Sequence, residues 1–290
     1  HAWGQRLCPA HATLTRAPAH ERLGPLEHAR RVPPLKIRAA GMTHVGMKRS
    51  HNEDSLLLLS EYSLYLVADG MGGHASGEVA SKMAVETVSS FFKMTTHDTE
   101  ATWPFKEEKN LRYDENRLAA AIKWSNRRIY EAAAREPKYK GMGTTIVTAF
   151  FTQGGAYLGH VGDSRGYRIR NGQIQQMTED HSLLNDYIKA NKLTPEEIEH
   201  FPHKNVIVRA LGMKELVQVD VTRLDPKPED YYLLCSDGLT GMITNDQEVL
   251  KLVVEAKDLK TACKNLIDCA NDHGGTDNIT VALVQLLPDD

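Results

Sequence analysis

The sequence predicts an α+β fold in which antiparallel sheets carry helices on their outer faces. Three observations lead there. Strand-like apolar runs mostly follow one another instead of alternating with helices, which disfavours a doubly wound parallel sheet. Glycine-bearing turns, Gln153-Gly154-Gly155 and Asn171-Gly172, separate the central runs. Other segments repeat apolar residues at i, i+3, i+4, the period of a helix with one buried face.

The folded region starts near Lys36. Asp54–Ser60 and Ser63–Ala68 are short apolar runs split by Glu61-Tyr62, as in a hairpin. A helix over Gly77–Phe92 presents Ala80, Met83, Ala84, Thr87, Val88 and Phe91 on one face. Residues 94–113 are polar, contain Pro104 and read as a loop. A second helix over Asp114–Arg135 has the stripe Leu118, Ala121, Ile122, Ser125, Ile129, Ala132. Strands follow at Thr144–Phe151, Gly155–Val161 and Gly166–Arg170. Residues 181–205 read as short helices in a mobile segment; Thr194-Pro195-Glu196-Glu197 is an N-cap, a first-turn proline and two acids. Val217–Leu224 and Tyr231–Cys235 are strands, Asn245–Glu255 and Leu259–Asn271 amphipathic helices, and Asn278–Leu287 a final strand.

Composition narrows the function. The 290 residues are 41% hydrophobic and 25% charged, which excludes a wholly disordered chain, a collagen or a disulfide scaffold. A net charge of −3 offers no global attraction for nucleic acid or an acidic membrane, and no apolar run is long enough for a membrane span. Cys8, Cys235, Cys263 and Cys269 show no Cys-x-x-Cys spacing and read as small thiols in a reducing, cytoplasmic compartment. Residues 1–35 are rich in Ala, Arg, His and Pro, with Glu21 and Glu27 as the sole acids. They lack hydrophobic periodicity and read as a disordered or expression-derived leader, leaving 36–290 as the folded domain.

One pattern recurs: an apolar run ending in an aspartate beside a glycine. It appears as Leu64-Tyr-Leu-Val-Ala-Asp69-Gly70, as Tyr231-Tyr-Leu-Leu-Cys-Ser-Asp237-Gly238, and reversed as Leu158-Gly-His-Val-Gly162-Asp163. Asp277 stands just before the last strand. A carboxylate at the mouth of a buried strand is costly unless paired or bound to a cation. Converging carboxylates repel, and a divalent ion relieves this; an all-oxygen set suits Mg²⁺ or Mn²⁺. Arg49-Ser-His-Asn52-Glu53-Asp54 adds a planar fork suited to a phosphoryl dianion beside two more acids. Each motif alone also fits an ordinary turn; together they suit phosphoryl transfer to water. The stretch Asp69-Gly-Met-Gly-Gly-His-Ala-Ser-Gly77 has neither glycine order of a nucleotide loop.

These segments, with Gly143-Thr-Thr145, Val161-Gly-Asp163-Ser-Arg165 and Gly275-Thr-Asp277-Asn278, resemble the metal-dependent protein phosphatases (PPM, type-2C serine/threonine phosphatases), above all their bacterial branch. The resemblance spans about residues 40–287 in the family's order. It implies a four-layer α-β-β-α sandwich with two central antiparallel sheets and a two-ion Mn²⁺ or Mg²⁺ centre at one edge. By this resemblance Asp69 bridges the ions, the Gly70 carbonyl ligates one, and Asp237 and Asp277 hold the other. Asp163 serves a third ion with Asp237. Glu53 and Asp54 support the outer shell, and Arg49 binds the substrate phosphate. Residues 181–209 match a flap beside the site.

Many eukaryotic members carry a histidine directly after the Asp-Gly, suggested as the general acid; here that position is Met71. His74 is near, but a surface role is the plainer reading, and His44, His51, His160 and His181 read as structural or exposed. The implied reaction is single-step hydrolysis of phosphomonoesters by hydroxide bridging two metals, on phosphoserine and phosphothreonine proteins. The implied protein is a cytoplasmic monomer without sensor domain or membrane anchor, opposing serine/threonine kinases. A non-catalytic phosphoprotein binder and a hydrolase of small phosphate esters are the rival readings.

Overall fold

The computed structural model describes residues 36–288 apart from 74–75, 98–102, 104, 191 and 203–205. The expectations for the leader, Cys8, His74 and Pro104 lie outside the described residues.

Eleven strands form two antiparallel sheets among the described residues. The first sheet has the order β1 (Lys36–His44), β11 (Ile279–Leu287), β10 (Tyr231–Cys235), β7 (Arg165–Arg170), β8 (Gln173–Gln176). The second has the order β2 (Asp54–Leu59), β3 (Leu64–Met71), β5 (Ile146–Thr152), β6 (Gly155–Val161), β9 (Asp220–Leu224), with the short β4 (Gly143–Thr144) pairing the end of β3. The helices are α1 (Ser76–His97), α2 (Tyr113–Arg135), α3 (Leu183–Lys189), α4 (Pro195–Glu199), α5 (Asp237–Thr240), α6 (Asp246–Val254) and α7 (Leu259–Asp272).

Three apolar layers hold this together, and strand alternation assigns residues to them. On β3, Leu64, Leu66 and Ala68 face α1 and α2, whereas Tyr65 and Val67 face the other sheet. On β11, Ile279, Val281 and Leu283 pack with Leu266 and Ile267 of α7, while Ala282, Val284 and Leu286 point between the sheets. Strands buried on both faces read as continuous apolar runs, which is why these runs lack alternation. Tyr65, Phe151 and Tyr232 span the inter-sheet core edge to face, with centroids 6.2 and 5.4 Å apart. The result is the expected four-layer α-β-β-α sandwich.

Several local expectations change. The edge strand β1 escapes sequence reading because its burial is partial and its residues are mixed. The four-residue β8, mostly polar, is an unanticipated edge strand completed by a two-residue turn: Asn171 and Gly172 both take positive φ (51° and 69°), matching the twist of the flanking strands. Helix α1 runs on to His97, into the predicted loop, with Thr95 and Thr96 hydroxyls bonded to the carbonyls four residues back. Strand β9 starts at Asp220, not Val217. The Thr194 cap holds as expected, its hydroxyl accepting from Glu197 N–H while Glu197 accepts from Thr194 N–H.

Candidate active site

The predicted acids come together where both sheets end on the same side. In the second sheet, Asp54 opens β2 directly opposite Asp69 near the end of β3. The first sheet contributes Asp237 after β10 and Asp277 before β11, and the β6–β7 loop contributes Asp163. The Asp69 and Asp237 carboxyls lie close enough to perturb each other, so the two sheets' contributions meet here. Asp163, Asp237 and Asp277 line one cavity of about 420 Å³.

Buried polar side chains hold this arrangement. Asn278 is the hub: its Nδ2 donates to the carbonyls of Val45 and His51 (both 2.9 Å), its Oδ1 accepts from Glu53 N–H (2.8 Å), and its own N–H donates to Asp277 Oδ1 (2.8 Å). The Ser236 hydroxyl donates to Asp54 Oδ2 at 2.8 Å and accepts from Thr280 N–H at 3.0 Å. Thr145 ties Asp69 to the Asp163 loop: its N–H donates to Asp69 O (2.8 Å), and its hydroxyl accepts from Asp69 N–H (3.1 Å) and pairs with Ser164 Oγ (2.7 Å).

Glycine spacing has a steric cause at two positions. A Cβ on Gly70 would lie 2.2 Å from Gly77 O, and one on Gly238 would lie 1.9 Å from Asn278 O. Both approaches are closer than any side chain permits, so each glycine lets backbone pass directly beside a carboxylate.

The electrostatics follow from burial. Burial, then like charges nearby, pushes the Asp54 and Asp163 carboxyls up to about 7, and raises Asp69 and Asp237 in the same way. Burial also raises Glu53. Asp54 Oδ1 and Asp163 Oδ1 are buried without a hydrogen-bond partner. Crowded carboxyls with orphaned oxygens fit a hard divalent cation, which would supply both the missing partner and the compensating charge. Arg49 donates to Asp277 Oδ2 at 2.7 Å and stays about half exposed, so its remaining donors face solvent.

Sequence reading missed several participants. Asp180 lines the same cavity and accepts a bidentate pair from Arg165 at 2.7–3.0 Å. His181 Nδ1 accepts from Gly162 N–H at 3.0 Å, one residue before Asp163, and its Nε2 donates to Asp220 Oδ2 at 3.1 Å. His160 stacks on it with centroids 4.6 Å apart. The structural reading of these two histidines therefore holds, with a specific task for His181. The flap-like segment 181–209 starts here, and Ser182 and Leu184 reach the cavity wall.

The family model for Protein phosphatase 2C matches residues 41–280. The chain belongs to the protein phosphatase 2C family. It is a protein-serine/threonine phosphatase of the bacterial PPM type. It is 39% identical over 252 residues to the Serine/threonine phosphatase stp of Listeria monocytogenes, covering 84% of this chain and 93% of that protein. Protein phosphatase PhpP of Streptococcus pneumoniae is 37% identical over 252 residues, covering 86% of this chain and 97% of that protein. Among solved structures, the Mycobacterium tuberculosis serine/threonine phosphatase PstP/Ppp superposes with a TM-score of 0.74 at 32% identity, covering 87% and 99% of the two chains. The catalytic domain of PstP in complex with 2 manganese ions gives 0.70 at 31% identity, covering 88% and 100%. No described helix of this phosphatase is long and apolar enough to cross a membrane.

Proposed function

We propose that the carboxylate pocket is the catalytic centre and that it works with two Mn²⁺ or Mg²⁺ ions and a third beside Asp163. The observation that carries this is the convergence of Asp54, Asp69, Asp163, Asp237 and Asp277 at one end of both sheets, with two buried carboxylate oxygens unpartnered. The two manganese ions named for PstP support the count.

When bound, the ions supply Lewis-acid charge that ionises water and offsets the phosphoryl oxygens. Asp69, the Gly70 carbonyl, Asp237 and Asp277 would hold the pair of ions, and Asp163 with Asp237 would hold the third. Glu53 and Asp54 orient the surrounding water as outer-shell acceptors, Asp54 held by Ser236 and Glu53 by the Asn278 link to its backbone. Arg49 is the substrate fork: its guanidinium, now on Asp277, has free donors to aim two parallel hydrogen bonds at a phosphoryl group. With water as the nucleophile, the phosphoryl group passes to it in one step and the serine or threonine oxygen leaves. Met71 cannot donate a proton, so the leaving oxygen takes its proton from bound water, from solvent or from another group of the pocket.

Phosphoserine and phosphothreonine proteins are the substrates, with the 181–209 flap as the segment that meets them. A cytoplasmic, monomeric enzyme opposing serine/threonine kinases is the setting we infer; a net charge of −3 favours neither nucleic acid nor an acidic membrane as partner. The test is turnover of a phosphothreonine peptide and a small aryl phosphate with chelator, then with added Mn²⁺. Activity lost in chelator, restored by Mn²⁺ and higher on the peptide is the expected result; full activity in excess chelator sinks the proposal.

A further inference from the structure

We propose a second cation site, of zinc type, formed by Glu248, Cys269 and His273 on the outer helical layer. Nothing in the phosphatase reaction uses these residues. Glu248 lies in the first turn of α6, Cys269 on α7, and His273 caps α7 one turn later. Their donor atoms all lie within 4.8 Å of one another. Cys269 Sγ is 3.4 Å from Glu248 Oε1 and 4.0 Å from His273 Nδ1. Tetrahedral zinc with metal–sulfur near 2.3 Å and metal–nitrogen or –oxygen near 2.1 Å separates neighbouring donors by about 3.5 Å. The observed spacings bracket that value, so small side-chain adjustments close the site. Cys269 and Glu248 are half-buried and His273 is exposed, which leaves a fourth position for water.

The donor chemistry separates this site from the carboxylate centre. A thiolate and an imidazole favour zinc-like ions, whereas an all-oxygen pocket favours Mg²⁺ or Mn²⁺. Burial, then the Glu248 carboxylate, holds the Cys269 thiol up at about 11. A divalent ion between the two groups reverses that repulsion, and the thiol gives up its proton on ligation. A comparable trio, His160, His181 and Asp220, carries no such site. There Arg209 Nη1 sits 3.0 Å from His181 Nε2 and 2.9 Å from Asp220 Oδ1, so a guanidinium already fills the cationic place.

Occupation would tie α6 to the end of α7. His273 leads directly into the Gly274–Asp277 turn, which is pinned by Gly275 N–H to Ala270 O (3.0 Å) and Met47 N–H to Gly275 O (2.7 Å). The zinc-type site therefore braces the base of the turn that presents Asp277.

The test is Co²⁺ titration of the full chain held in excess Mn²⁺, read by the sulfur-to-cobalt charge-transfer absorption that oxygen ligands cannot produce. One equivalent should saturate the band, and Zn²⁺ but not Mg²⁺ should erase it. The band should vanish in Cys269→Ser and persist in Cys8→Ser. Glu248→Gln and His273→Ala should each weaken Co²⁺ binding at least about tenfold. No band, a band that survives Cys269→Ser, or affinity unchanged in both Glu248→Gln and His273→Ala would overturn the proposal.

Discussion

Taking the cations away should make the fold lose stability as pH rises, and Asp163→Asn should blunt that loss. Burial first, then Asp237 and Asp180, holds the Asp163 carboxyl up at about 7, against 3.8 for a free one. A raised carboxyl favours the protonated folded form. The stability this lends is complete below about pH 4 and drains away as pH climbs to about 7. Inside that window one such group gives a slope of about 1.4 kcal/mol per pH unit. From about pH 5 to about pH 7 this amounts to about 2–3 kcal/mol for Asp163 alone. Asp54, also held at about 7, acts in the same direction. Urea unfolding in chelator across this range measures it. The unsubstituted chain should weaken with rising pH, and Asp163→Asn, having no group to titrate there, should weaken by about 2 kcal/mol less. Saturating Mn²⁺ should remove the fall, because a bound cation favours the ionised carboxylates. Equal pH dependence of the two metal-free chains would refute the reasoning.

Other substitutions probe single links. Asp69→Asn should cut peptide turnover at least about a hundredfold with the circular dichroism spectrum kept, since it removes charge and leaves shape; near-normal turnover would contradict the proposed part of Asp69 in holding the ions. Arg49→Ala should raise KM about 10–100-fold, the worth of a charge-assisted hydrogen bond, with a smaller change in kcat. Its exposed pairing with Asp277 contributes little stability, so the melting temperature should hardly move. Gly238→Ala should destabilise by about 1–3 kcal/mol, because its Cβ has no space against the Asn278 carbonyl, and denaturant titration reads this directly.

Periodicity and residue type, read along the chain, were enough for antiparallel sheets flanked by helices and for the recurring aspartate beside a glycine; the family and the four-layer sandwich followed from the resemblance of the motifs. Those features are local: an apolar run buried on both faces, a helix stripe, an aspartate beside a glycine at a strand end. The contacts that hold the acids in place were not legible. Asp54 faces Asp69 because β2 and β3 pair in one register, and a slip of one residue would turn Asp54 to the other face of the sheet. Asn278 becomes the hub because β11 brings it beside the 45–53 loop, more than two hundred residues away in sequence. Asp180 joins the pocket through Arg165, and His181 supports Gly162, through contacts that no spacing rule reports. The Glu248–Cys269–His273 trio exists only because α6 lies against α7. Hydrophobic period is written into neighbouring residues, so the sequence carries it openly; the meeting of charges depends on which strands and helices pack together, and that is decided when the whole chain buries its core.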